Sequence, residues 1–171
     1  MKNLASILFL LFLVSSINLI TAFGNKGMKT NESKSIISEK EIILKVIEDE
    51  SSAFWNNESA KLSSYWLHAP YVRTIGKWKN DSVSMNNGWT DRVKLVRKRN
   101  LENPAPNQQN IFRDKINIRV LKNAAWVTFD QYRVDSGEPN IDLPNLSHET
   151  RFLEKHNGKW KIVYAGWLLN E

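Results

Sequence analysis

The sequence predicts an α+β fold in which helices gather on one face of a curved antiparallel sheet. Three observations carry this. Apolar residues recur near every 3.6 positions between Glu39 and Trp55. They alternate with polar ones over Ile111 to Leu121 and again over Ala125 to Val134. The chain then closes with two alternating runs on either side of Asn157-Gly158, the dipeptide that favours a two-residue type I′ turn.

The elements follow in chain order. Lys2 precedes an apolar run from Leu4 to Ile20, and small residues follow at Thr21, Ala22 and Gly24. That pattern predicts a signal peptide over residues 1–24, cleaved after Ala22 or Gly24. An uncleaved signal anchor is the alternative, because the run reaches the lower limit for spanning a bilayer. Loss of Lys2 with the signal lowers the formal charge from +6 to +5. Residues 25–34, NKGMKTNESK, are polar and contain Gly27, and read as a flexible linker. The globular domain is expected over 35–171, and a chain of that size can bury on the order of two thirds of its surface.

Ser38 with Glu41 forms a capping box for the first helix, whose apolar stripe is Ile43, Val46, Ile47 and Phe54, with Glu50 and Ala53 between. Asn57 is placed to cap a second helix, Glu58 to Trp66, which Pro70 ends. Tyr71 to Ile75 is β-branched and aromatic, hence a strand, and the turn-rich stretch Gly76 to Gly88 reads as a loop or short hairpin. Thr90 is placed to cap a third helix, Asp91 to Leu101, stopped before Pro104. The basic run Arg92 to Arg99 reads as its solvated face, with no aromatic platform or nucleic-acid motif beside it. In the next strand Phe112, Ile116, Ile118 and Val120 are expected on one face, with Arg113, Lys115, Asn117 and Arg119 on the other. Asp135 to Leu146 is a long loop with Gly137, Pro139 and Pro144.

In the last hairpin a two-residue turn sets the register. Leu153 then opposes Ile162, Arg151 opposes Tyr164 and Glu149 opposes Gly166. One face is apolar near the turn, at Leu153, Trp160 and Ile162, and polar at the far end, at Glu149, Arg151 and Tyr164. A face that changes in this way suggests a pocket floor.

The segment RFLEKHNGKWKIVY, Arg151 to Tyr164, resembles the last hairpin of the SnoaL-like branch of the nuclear transport factor 2-like superfamily. Ala125 to Asp130 (AWVTFD) and Phe54 to Glu58 (FWNNE) also look familial. The resemblance implies a cone-shaped curved antiparallel sheet, helices packed on its concave face, and one deep pocket. It also implies frequent pairing into homodimers, and a range of roles from isomerase and dehydratase to plain ligand binder. Tyr164-Ala165-Gly166 stands where many relatives carry His-x-His, so metal or acid–base work by that pair is absent.

Candidate ligand-binding residues are Arg151 and Tyr164, one for a carboxylate and one for an oxyanion, with Glu149, Trp66, Trp89 and Arg73 around them. A structural Glu149–Arg151 pair stacked on Tyr164 accounts for the same pattern. Asp130 follows an apolar stretch, and a carboxylate in such surroundings can act as a general base; an outward residue paired with Arg133 or Lys115 is the alternative. His68, before Pro70, is the second candidate base. The chain has no cysteine, and no His or carboxylate set has ligand spacing, so no metal and no cofactor are expected. Phe152, Val163 and Trp167 fall together on the outer face, where a homodimer would cover them. The two functions the sequence supports are an exported module binding a small, partly apolar ligand, and a proton-transfer enzyme of isomerase or dehydratase type. Fold alone does not decide between them, and binding ranks first because no base is placed.

Overall fold

A computed structural model describes residues 39–78, 80–107, 110–133 and 146–169 of the chain. The expected signal peptide, linker, Ser38 cap and long loop lie outside those residues, apart from Leu146.

The first helix, α1, runs over residues 39–55 and buries Ile43, Ile47, Glu50 and Ala53, the stripe its periodicity requires. Asn57 breaks it in a left-handed conformation, φ 60°. Asn57 does not cap α2 (Ser59–Tyr65): the N-cap is Glu58, and the Asn57 amide instead donates to the carbonyls of Asn103 (2.7 Å) and Ala105 (3.3 Å). Strand β1 is Arg73–Lys77, and the turn-rich stretch after it contains a second strand, β2, Val83–Asn87. Helix α3, Gly88–Glu102, begins before Thr90, so Thr90 lies inside its first turn; Asn87 takes the N-cap position without a side-chain bond. Gly88 enters it at φ 82°, against the Pro70 carbonyl. The remaining strands are β3 (Ile111–Val120), β4 (Ala124–Arg133), β5 (Ser147–His156) and β6 (Lys159–Leu169).

These six strands form one sheet in the order β2-β1-β6-β5-β4-β3. It is mixed rather than wholly antiparallel, because β1 lies parallel to β6. The helical residues Ile43, Ile47 and Leu62, with Trp66 just past the end of α2, form one buried cluster with Val127, Leu153, Trp160 and Ile162 of the strands.

Two bulges bend the sheet and change which side chains face the helices. In β3 the register to β4 shifts between Asp114 and Asn117, with Lys115 at φ 48°. In β6 it shifts at Val163: Leu153 pairs with Ile162, but Phe152 pairs with Tyr164. Arg151 therefore opposes Ala165, not Tyr164. Beyond the bulge the alternation is inverted, so Ala165 and Trp167 share the inner side with Arg151 and Glu149, while Tyr164 and Gly166 turn outward. Trp167 is thus removed from the expected outer apolar patch. Its ring lies over Gly76, where a Cβ would fall 1.7 Å from it. In β3 the same inversion brings Arg113 to the side of Ile118 and Val120, and sends Phe112 out with Asn117 and Arg119.

Candidate functional site

The inner side of the sheet meets the helices at a cluster of charge. Glu50 comes from the buried stripe of α1, Arg92 from the Gly88-Arg92-Val96 stripe of α3, and Glu149 and Arg151 from the inner positions of β5. Each is less than a tenth exposed. Arg92 Nη2 lies 3.3 Å from Glu50 Oε1, which also accepts the indole N–H of Trp66 at 2.8 Å. Arg151 Nη1 donates to Glu149 Oε2 at 2.7 Å, and Ser147 Oγ donates to the other carboxylate oxygen at 2.6 Å. The guanidinium of Arg92 stands 4.6 Å from the Trp66 ring, and that of Arg151 5.5 Å from Phe129. Burial lowers the Arg92 pKa from its ordinary value, against the opposing pull of Glu50.

A third guanidinium belongs to the same group. Arg113 lies 5.4 Å from the opposite-strand ring of Phe129 and donates to Ser51 Oγ at 2.7 Å. Its pKa is lowered by burial first, then by the neighbouring charge of Arg151. Among the described residues it makes no ion pair, and its Nε is buried without an acceptor. The Nε atoms of Arg92 and Arg151 and the Trp167 indole N–H are also buried and unpartnered. Arg113 forms one wall of a cleft of about 310 Å3 between α1 and the start of β3, with Glu48, Ser51, Trp55 and Asn56. The guanidinium is thus only partly satisfied, and an acceptor added to it would gain a charge-assisted hydrogen bond.

The structure distributes the sequence candidates over three places. Arg151, Glu149 and Trp66 belong to the inner cluster. Tyr164, Arg73 and Asp130 face the other side of the sheet, so the Arg151–Tyr164 pair does not exist. Asp130 and Tyr164 do line one cleft of about 510 Å3. Yet Lys115 Nζ is 2.8 Å and His148 Nδ1 2.7 Å from the Asp130 carboxylate. Burial alone would raise its pKa, but these two partners outweigh burial and hold it below the ordinary carboxylate value. His68 and Trp89 stack on each other at 4.3 Å beside α2, with His68 exposed and bonded to Ser63. Neither His68 nor Trp89 reaches the inner cluster or Tyr164's cleft.

Three residues of the inner cluster were not among the sequence candidates. Glu50 and Arg92 carry a readable signal, a charge on the stripe that also bears Ile43 and Ile47, or Val96. Arg92 accordingly departs from the solvated face expected of the basic run. Arg113 carries no such signal, because only the bulge turns it inward. Among the described residues no group of three His, Cys, Asp or Glu could hold a metal ion.

No family model and no curated protein matches the sequence. Solved structures do. A nuclear transport factor 2-like protein of unknown function from Shewanella oneidensis superposes with a TM-score of 0.55 at 12% identity, over 76% of this chain and 98% of its own. A candidate dehydratase of the same family from Streptomyces avermitilis gives 0.61 at 15% identity, over 78% and 97%. A nuclear transport factor 2-like protein from Cytophaga hutchinsonii gives 0.54 at 14%, over 77% and 98%. The described residues have the nuclear transport factor 2-like fold, an α+β cone of three helices on a curved, open sheet; the likeness does not single out the SnoaL-like branch.

Proposed function

We propose that this nuclear transport factor 2-like chain is an exported binding protein for a small organic acid with an apolar body. The acid group meets Arg113 at the cleft beside α1, and the apolar part lies toward Trp55 and Ile111. The observation that carries this is Arg113 itself: a largely desolvated guanidinium lining a cleft, held by Ser51, with an unsatisfied Nε and no ion pair among the described residues, although Glu48 lines the same cleft. Arg92 and Arg151 each hold a carboxylate in an ion pair already, whereas Arg113 feels Glu48, Glu149 and Glu50 only at longer range.

Proton transfer ranks second, although one structural neighbour is described as a candidate dehydratase. Asp130 shares a cleft with Tyr164, but a carboxylate held ionised by Lys115 and His148 is a weak base near neutral pH.

A thermal-shift series of aliphatic and aromatic carboxylates beside their matching alcohols tests the binding reading. An acid at a hundred times its Kd should stabilise the protein by about 2.7 kcal/mol, and the matching alcohol by far less. Arg113→Met should remove the effect. Equal shifts from acid and alcohol, or an unchanged shift in Arg113→Met, would take the ligand away from this cleft.

A further inference from the structure

We infer that the sheet face turned away from the helices carries a second binding site, an aromatic ladder with a guanidinium at each end, for a planar aromatic acid. Five strands contribute one residue each, in continuous register. Arg73 of β1 pairs with Tyr164 of β6, Tyr164 with Phe152 of β5, Phe152 with Trp126 of β4, and Trp126 with Arg119 of β3. Adjacent strands lie about 4.8 Å apart, so the row is about 19 Å long. All five residues line one open cavity of about 650 Å3, the size of a small-molecule site.

Cross-strand aromatic pairs often do no more than stabilise a sheet. Three features point further. Trp126 is 51% exposed, so much of its ring remains open to solvent. Tyr164 lies down along its own strand over Gly166, where an added Cβ would fall 2.7 Å from the phenol oxygen. A ring in that attitude offers its face outward, as stacking requires. The charges are also unbalanced: among the described residues neither Arg73 nor Arg119 makes an ion pair. The one acid among the described residues of the cavity, Glu154, already accepts the Tyr71 hydroxyl at 2.9 Å and lies 2.8 Å from His156 Nε2. Flat apolar rings and a bidentate guanidinium together recognise an aromatic carboxylate. The β6 bulge creates the row by turning Tyr164 outward, and the turn between β3 and β4 sets Arg119 opposite Trp126.

This site is separate from the cleft at Arg113, and its test is read separately. The probe is 2-naphthoate, titrated by calorimetry into the full chain at low salt, with 2-naphthylmethanol as the neutral analogue. The naphthoate should bind, and the alcohol should bind about tenfold more weakly or worse. Trp126→Leu should weaken naphthoate by a similar factor, as should at least one of Arg73→Ala and Arg119→Ala, while Arg113→Met leaves it unchanged. Gly166→Ala should weaken it by tilting Tyr164, with both arginines intact. Circular dichroism confirms that each variant is folded. The inference is overturned if naphthoate does not bind, if acid and alcohol bind equally, or if the outer variants bind as the parent does while Arg113→Met does not. It is also overturned if light scattering gives a dimer that Trp126→Leu dissociates, because the face then pairs two copies. Preferential binding of a single-stranded oligothymidine would overturn it in favour of a nucleic-acid surface.

Discussion

Arg92 and Glu50 are both nearly sealed from water, at 8% and 5% side-chain exposure, so the cost of separating them is large. Removing one partner strands the other charge without a counter-ion, whereas removing both leaves a nearly neutral packing problem. Arg92→Met is expected to destabilise the protein by about 3–5 kcal/mol, and adding Glu50→Gln to recover part of that loss. Urea unfolding of the two singles and the double measures the coupling, and strictly additive effects would mean that the pair is not coupled. Asp130 gives a second residue-scale expectation. Its folded pKa lies below the ordinary carboxylate value, because Lys115 and His148 outweigh burial. The unfolded chain therefore takes up the proton first as pH falls. The stability contributed by Asp130 is full above the ordinary carboxylate pKa of about 3.9 and is lost as pH falls through the lower folded value. Asp130→Asn should be less stable than the parent at neutral pH, with the gap closing as pH falls below the ordinary carboxylate value. A gap that stays constant with pH would show that the ion pairs contribute nothing.

The hairpin of β5 and β6 owes its turn to two residues in left-handed conformations, Asn157 at φ 50° and Gly158 at φ 75°. A Cβ at Gly158 would meet nothing within 4 Å, so the whole cost of a side chain there is conformational. Gly158→Ala should cost about 1 kcal/mol and lower Tm by roughly 4 °C, without moving ligand binding. A calorimetric Tm equal to the parent's would mean that the turn relaxes to another type. Two-residue turns transmit register faithfully only as far as the first bulge. From His156–Lys159 to Leu153–Ile162 the pairing follows a simple count back from the turn, and one residue later it does not.

At the scale of the molecule the expectation is export. The charged, apolar and small-residue succession of residues 1–24 is the pattern of a cleaved signal. Mass spectrometry of the protein secreted by its native host should find a mature chain beginning near Gly24. An intact Met1 on protein that sediments with membranes would favour the anchor. No helix among the described residues is long and apolar enough to cross a membrane. A globular chain with no cysteine has no disulfide to lean on, so its stability after export must come from the cluster of Ile43, Ile47, Leu62, Trp66, Leu153 and Ile162.

Periodicity together with turn and breaker residues determined the helices, the long strands and the hairpin, because each depends on neighbours a few residues away. The stripe of α1, the stop before Pro104 and the Asn157-Gly158 turn are local facts, and local physics suffices for them. The sidedness of the strands was legible only between turn and bulge. Leu153, Arg151 and Glu149 could be placed inward from the sequence, as could Trp160 and Ile162. Tyr164, Trp167 and Arg113 could not, since one extra residue at Val163 and one in β3 invert every position beyond it. A bulge answers to the curvature of the whole sheet, which closes over α1 and α3, and the alternation pattern carries no mark of it. The acid and base chemistry of Asp130 was likewise decided in three dimensions. Its sequence neighbours are apolar, but Lys115 and His148 reach it across the sheet from β3 and β5. A pKa depends on the charges within a few ångströms, and those come from strands that only the fold brings together.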